Sequence, residues 1–248
     1  MDQKHYAKLI NRELRNLPFY VNVFYLAKNL SITTKYQYIT EIRRLLTWLI
    51  QEGLSSADNC KNVSLKTLEH LKHDDVMFYI YSLKNKTNKQ NKYNSPTTIN
   101  RTINALRSLY TFLTVTADNN NGEPCFYRNV MAKIDSLPAS KTLNYRANEL
   151  KTHMYRGQKK HDFLDFLSNK YEKQVNNNIA GHFVRNKERD IAVIAVMLGT
   201  GVRVQEAASA NFKDLNMQAS MLNVVRKGGQ KMLCPLHVGY YLISGCQK

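Results

Sequence analysis

Leu198-Gly199-Thr200-Gly201-Val202-Arg203-Val204-Gln205-Glu206 reads as the exit of one helix, a tight Thr-Gly turn and the start of another helix. The run before it, from Ile191 to Leu198, is apolar on every side, so that helix is expected to lie in a core. Arg189-Asp190 is expected to open it, after a polar, loop-like stretch over residues 172–186. Further on, Val224-Val225-Arg226-Lys227-Gly228-Gly229-Gln230-Lys231-Met232-Leu233-Cys234-Pro235-Leu236 reads as a β-hairpin with a lysine at its tip. Residues 212–217 lead into its first strand, expected at 221–225.

Charge says what kind of ligand such an arginine and lysine would meet. Lys and Arg number 36 against 19 Asp and Glu, a formal net charge of +17, with a pI of about 9.7. A field of that size favours a polyanion over a small acidic substrate. The basic residues are spread along the chain, as expected for folded surfaces that track a phosphate backbone. No basic amphipathic helix points instead to an anionic membrane. The start of the chain leads into no apolar segment and no stretch of about 18 apolar residues occurs. A soluble, cytoplasmic protein is therefore expected. Cys60, Cys125, Cys234 and Cys246 show no metal-binding spacing, so neither zinc nor disulfides are expected.

Outward from the quoted stretch, 248 residues with 43% hydrophobic content suffice for two domains. Residues 1–125 read as a helical bundle, with helices near 4–15, 18–29, 31–53, 64–83 and 96–115. In the third, Ile39, Ile42, Leu46, Leu49 and Ile50 form a stripe, with Ser31 as cap and Arg44 on the polar side. In the last, Ser95 caps, Pro96 takes the first position, and Ile99, Ile103, Leu106, Tyr110 and Leu113 form the apolar face. Thr97, Arg101 and Asn104 lie opposite. A solvated loop is expected over 84–92 and an interdomain linker over 126–158, leaving 159–248 as the second domain.

The segments Arg189-Asp190-Ile191-Ala192 and Leu198 to Glu206 resemble the first catalytic box of tyrosine site-specific recombinases, and the Lys227 hairpin resembles their second. The helices at 33–49 and 96–113 are similar to that family's core-binding domain. Pro18-Phe19-Tyr20 and the polar insert before Asp162-Phe163-Leu164 look most like the single-recombinase Xer type, which resolves chromosome dimers. The fold this implies is mainly α: a helical, SAM-like core-binding bundle, then an incomplete α+β catalytic domain with a small antiparallel sheet. The implied reaction is cutting and rejoining of double-stranded DNA at a short inverted-repeat site, with no cofactor and no metal. Assembly with other recombinase protomers follows from the same resemblance.

Residue by residue, Arg203 matches the arginine whose guanidinium fork holds two non-bridging oxygens of the scissile phosphate. Lys227 matches the general acid for the departing 5′ oxygen, although Arg226 before it stands where the family more often has glycine. Glu206 matches a carboxylate that orients the arginine. Arg44, Thr97, Arg101 and Asn104 are candidate DNA contacts, the arginines on phosphates and Asn104 on a base edge. The family chemistry also needs a His-x-x-Arg box and a nucleophilic tyrosine well after the hairpin. Tyr240 and Tyr241 follow it too closely, and His237 has tyrosine, not arginine, three positions on. No strand cleavage by this chain alone is therefore expected. A non-catalytic, sequence-specific DNA-binding fragment and a basic helical RNA-binding or scaffold protein are the alternative readings.

Overall fold

The computed structural model describes residues 3–87, 91–138, 141–226 and 229–236. The chain divides into two compact units, Met1–Thr142 and Leu143–Lys248.

The first unit is all helical: α1 (Gln3–Leu14), α2 (Phe19–Ala27), α3 (Ile32–Gln51), α4 (Leu65–Glu69), α5 (His73–Asn85) and α6 (Pro96–Thr111). Three serines set helix starts by accepting a backbone N–H three residues on. Ser31 takes that of Thr34 at 3.3 Å, Ser64 that of Thr67 at 3.2 Å and Ser95 that of Thr98 at 3.3 Å. The single helix expected over 64–83 is two, because Lys72 leaves helical geometry and donates its N–H to the Asp75 carboxylate at 2.8 Å. The core lies where α3 meets α6. Ile39, Ile42, Leu45, Leu46 and Leu49 pack there with Ile99, Ile103, Leu106, Leu109 and Tyr110. Ile50 borders this core and is only half-buried. A π-helical turn, Phe112–Thr116, carries Leu113 into the same core.

This unit runs past residue 125. Phe126, Val130, Met131 and Ile134 are buried in it, so the first part of the expected 126–158 linker is core. Polar straps hold the segment along α6. The Asn100 side chain donates to the Leu137 carbonyl (2.9 Å) and accepts its N–H (2.8 Å), and Arg107 donates to the Ile134 carbonyl. Short apolar runs bounded by Asn and Pro look like connectors in one dimension. Here they close the open side of a bundle.

The second unit contains α7 (Leu143–His153), α8 (Gln158–Asn169), α9 (Tyr171–Gln174), α10 (Asn177–Thr200) and α11 (Val204–Ser209). Strands β1 (Leu215–Asn216), β2 (Met221–Val225) and β3 (Lys231–Pro235) form an antiparallel sheet in the order β1-β2-β3. Residues 143–153, expected to be connecting chain, are helical with every residue exposed. The loop expected over 172–186 is mostly helix. Asn176 caps α10 by accepting the Ile179 N–H at 3.0 Å, so that helix starts well before Arg189. Its polar first half hid it from an apolar-periodicity reading.

The stretch from Ile191 to Leu198 is not wrapped on all sides as expected. Only Ala195 is fully buried there and the rest are half-buried, because α8, α9, α11 and β3 pack on α10 from limited directions. Among the described residues no helix is long and apolar enough to cross a membrane.

Candidate functional site

Arg203 is placed by the way α10 stops. Gly201 adopts a left-handed conformation (φ +70°) and its N–H returns to the Met197 carbonyl at 2.9 Å. The Thr200 hydroxyl donates to the Val196 carbonyl at 2.6 Å and accepts the Val202 N–H at 3.3 Å. Val202 then drops into a small core with Leu222, Val224, Cys234 and Leu236, which fixes the residue after it at the start of α11.

Glu206, one turn on, is buried and takes Arg203 by both ends. Its Oε2 accepts the Arg203 backbone N–H at 2.9 Å and its Oε1 accepts the guanidinium Nη1 at 2.8 Å. These contacts, the backbone bond first and the guanidinium second, hold the Glu206 carboxyl below the usual glutamate range against the opposing effect of burial. The Arg203 side chain remains 70% exposed. One edge of a planar fork is thus anchored, and its other donors face solvent. Such a group can bind an oxyanion with little further ordering.

The hairpin forms as expected, in the register Leu222↔Cys234, Val224↔Met232 and Val225↔Lys231. At its end the Arg226 N–H donates to the Gln230 carbonyl at 2.7 Å and the Gly229 N–H to the Arg226 carbonyl at 3.0 Å, with Gly229 at φ +82°. Lys227, the tip lysine, lies outside the described residues. So do His237, Tyr240, Tyr241 and Cys246. Arg226 was assigned no role by its sequence context, yet its positive charge reaches Glu206.

In the first unit the structure draws together two of the candidate DNA contacts. Glu41, on the α3 side of the core, is buried to 2% exposure and accepts Arg44 at 2.9 and 3.1 Å and the Thr102 hydroxyl at 2.9 Å. Arg101 approaches the same carboxylate at 3.5 Å. Arg44 and Arg101 therefore converge, both still substantially exposed, while Thr97 and Asn104 lie exposed one turn to either side of Arg101 on α6. Glu41 went unread in the sequence. Its signal was available: an acid within the buried stretch of a helix must find donors. Among the described residues Glu41 and Glu206 are the buried charged side chains, and each grips an exposed arginine.

The chain is 40% identical over 222 residues to tyrosine recombinase XerS of Streptococcus thermophilus, a match covering 87% of this chain and 62% of that protein. Tyrosine recombinase XerS of Streptococcus mutans is 41% identical over 226 residues, covering 88% and 64%. The same protein of Lactococcus lactis is 39% identical over 226 residues. The chain is similar in sequence to the XerS-type tyrosine recombinases. It spans less than two thirds of the length of these relatives. Among solved structures, XerH site-specific recombinase bound to palindromic difH substrate, in a post-cleavage complex, matches with a TM-score of 0.57 at 14% identity, over 88% of this chain and 52% of that one. That likeness shows a shared fold: a mainly helical chain with a small antiparallel sheet. No family-wide sequence profile matches the chain.

Proposed function

We propose that these residues bind double-stranded DNA at a short inverted-repeat site and hold one phosphodiester at Arg203, as part of a site-specific recombinase of the kind that resolves chromosome dimers in the cytoplasm. The observation that carries this reading is the exposed Arg203 fork pinned along one edge by buried Glu206. A net charge of +17 and the similarity to XerS support it. So does the fold shared with a recombinase whose structure was solved on palindromic DNA. Arg44 and Arg101 meet phosphates, and Thr97 and Asn104 lie beside them in reach of base edges.

At the phosphate, two parallel N–H donors from Arg203 bind the non-bridging oxygens and offset the charge that builds as the phosphorus becomes pentacoordinate. Glu206 sets the plane of that fork. Lys227 on the hairpin is the proton donor for the leaving 5′ oxygen. Within these 248 residues no His-x-x-Arg follows the hairpin. His153–Arg156 and His182–Arg185 have the spacing but precede Arg203, and Arg185 lies 3.2 Å from the His182 ring on exposed α10. Arg203, Glu206 and Lys227 thus supply the phosphate-holding and proton-donating part of the site.

Duplexes selected from a randomised pool test the reading by competition with bulk DNA at fixed salt. An inverted-repeat duplex preferred about 10³-fold or more is expected. Equal competition by bulk DNA overturns the proposal.

A further inference from the structure

Arg226 is a cation near the Arg203 site for which the family resemblance supplies no task. Its position follows from strand geometry. Side chains alternate along β2, and Leu222 and Val224 are buried on the face that meets Val202 and Ala207 at α11. The Arg226 N–H to Gln230 carbonyl bond carries the ladder one residue past the end of β2. Arg226 therefore continues the Leu222–Val224 face on the side of α11, and its charge adds, less than Arg203 does, to favouring the ionised form of Glu206.

Donor accounting then leaves Arg226 short. Glu206 spends Oε2 on the Arg203 backbone and Oε1 on the Arg203 guanidinium. The Arg226 Nε is enclosed and makes no hydrogen bond among the described residues. An enclosed guanidinium donor without an acceptor is costly. Two guanidiniums around one carboxylate also leave one positive charge uncompensated. A phosphodiester supplies the missing negative charge, and its two unshared oxygens suit the guanidinium donors that Glu206 leaves free, rather than the enclosed Nε.

We infer that Arg226 is a second phosphate-binding residue of the Arg203 site, so that one DNA phosphodiester is held between guanidiniums from α11 and from the hairpin. This rests on the reading of that site as a DNA phosphate site.

The test uses the 248-residue chain and the selected duplex, with each phosphate in turn replaced by an uncharged methylphosphonate. For the wild-type chain, one position is expected to weaken binding by about tenfold or more. Arg203→Ala and Arg226→Ala should each bind the native duplex more weakly and become nearly insensitive to that one substitution. Arg226→Lys should recover part of the sensitivity. Arg226→Gln, which keeps most of the side chain, stands in for Arg226→Ala if the hairpin fails to fold, as read from amide NMR spectra. If Arg203→Ala loses the sensitivity and both Arg226→Ala and Arg226→Gln keep it in full, the inference is wrong and the DNA reading stands. If the wild-type chain prefers no duplex, the DNA reading falls and this inference with it.

Discussion

Glu206 fixes the Arg203 guanidinium along one edge and leaves the other open, the arrangement that the proposed phosphate contact uses. The arrangement makes a testable statement about acid. Because the Glu206 carboxyl titrates below its unfolded value, its contribution to stability is complete above the ordinary glutamate range and is lost as pH falls through the lower, folded value. A carboxyl ¹³C titration should show that depressed midpoint. In Arg203→Ala the midpoint should rise only part of the way, since the backbone N–H of residue 203, the larger cause, remains. A full return to the ordinary value shows that the backbone bond is not made. At this scale Arg203 and Glu206 were legible as a pair three residues apart on a helix start. Arg226 was not, because its significance comes from sheet alternation toward a helix distant in sequence.

Elements hold these residues in place, and two substitutions separate backbone from packing causes. At Gly201, φ +70°, an added Cβ would meet nothing within 4 Å. Gly201→Ala should therefore cost about 1–2 kcal/mol through the left-handed backbone alone, and Gly201→Asn should cost less, as thermal melts of the two variants will show. In the first unit, Glu41 joins α3 to α6 through the buried Thr102 hydroxyl. Glu41→Ala leaves that hydroxyl without its carboxylate and is expected to lose about 1–3 kcal/mol in denaturant unfolding. It should also weaken DNA binding by releasing Arg44 and Arg101. Helix caps at Ser31 and Ser95 and the hairpin could be read from local pattern. The polar start of α10 could not, because nothing in its periodicity marks a face that α8 and α9 bury.

For the whole molecule, the boundary near residue 142 predicts how the chain can be divided. A fragment of residues 1–142 should unfold cooperatively. One ending at 125 should be weaker by up to about 1.5–3 kcal/mol for each large side chain lost, since Phe126, Val130, Met131 and Ile134 are buried in the first core. Equal stability of the two fragments by urea titration contradicts that packing. The net charge of +17 predicts DNA affinity that falls linearly with salt on logarithmic axes. Arg44→Ala should lower the magnitude of that slope by about one. Composition, helix periodicity, serine caps and two short motifs determined the strongly basic charge, the helical first unit, the hairpin and the Arg203–Glu206 pair, because each depends on composition or on residues close together in the chain. Where the first unit ends, which arginines share the Glu41 carboxylate and why Arg226 faces Glu206 were decided only by the folded chain. Burial and charge pairing act between residues that only tertiary packing brings into contact.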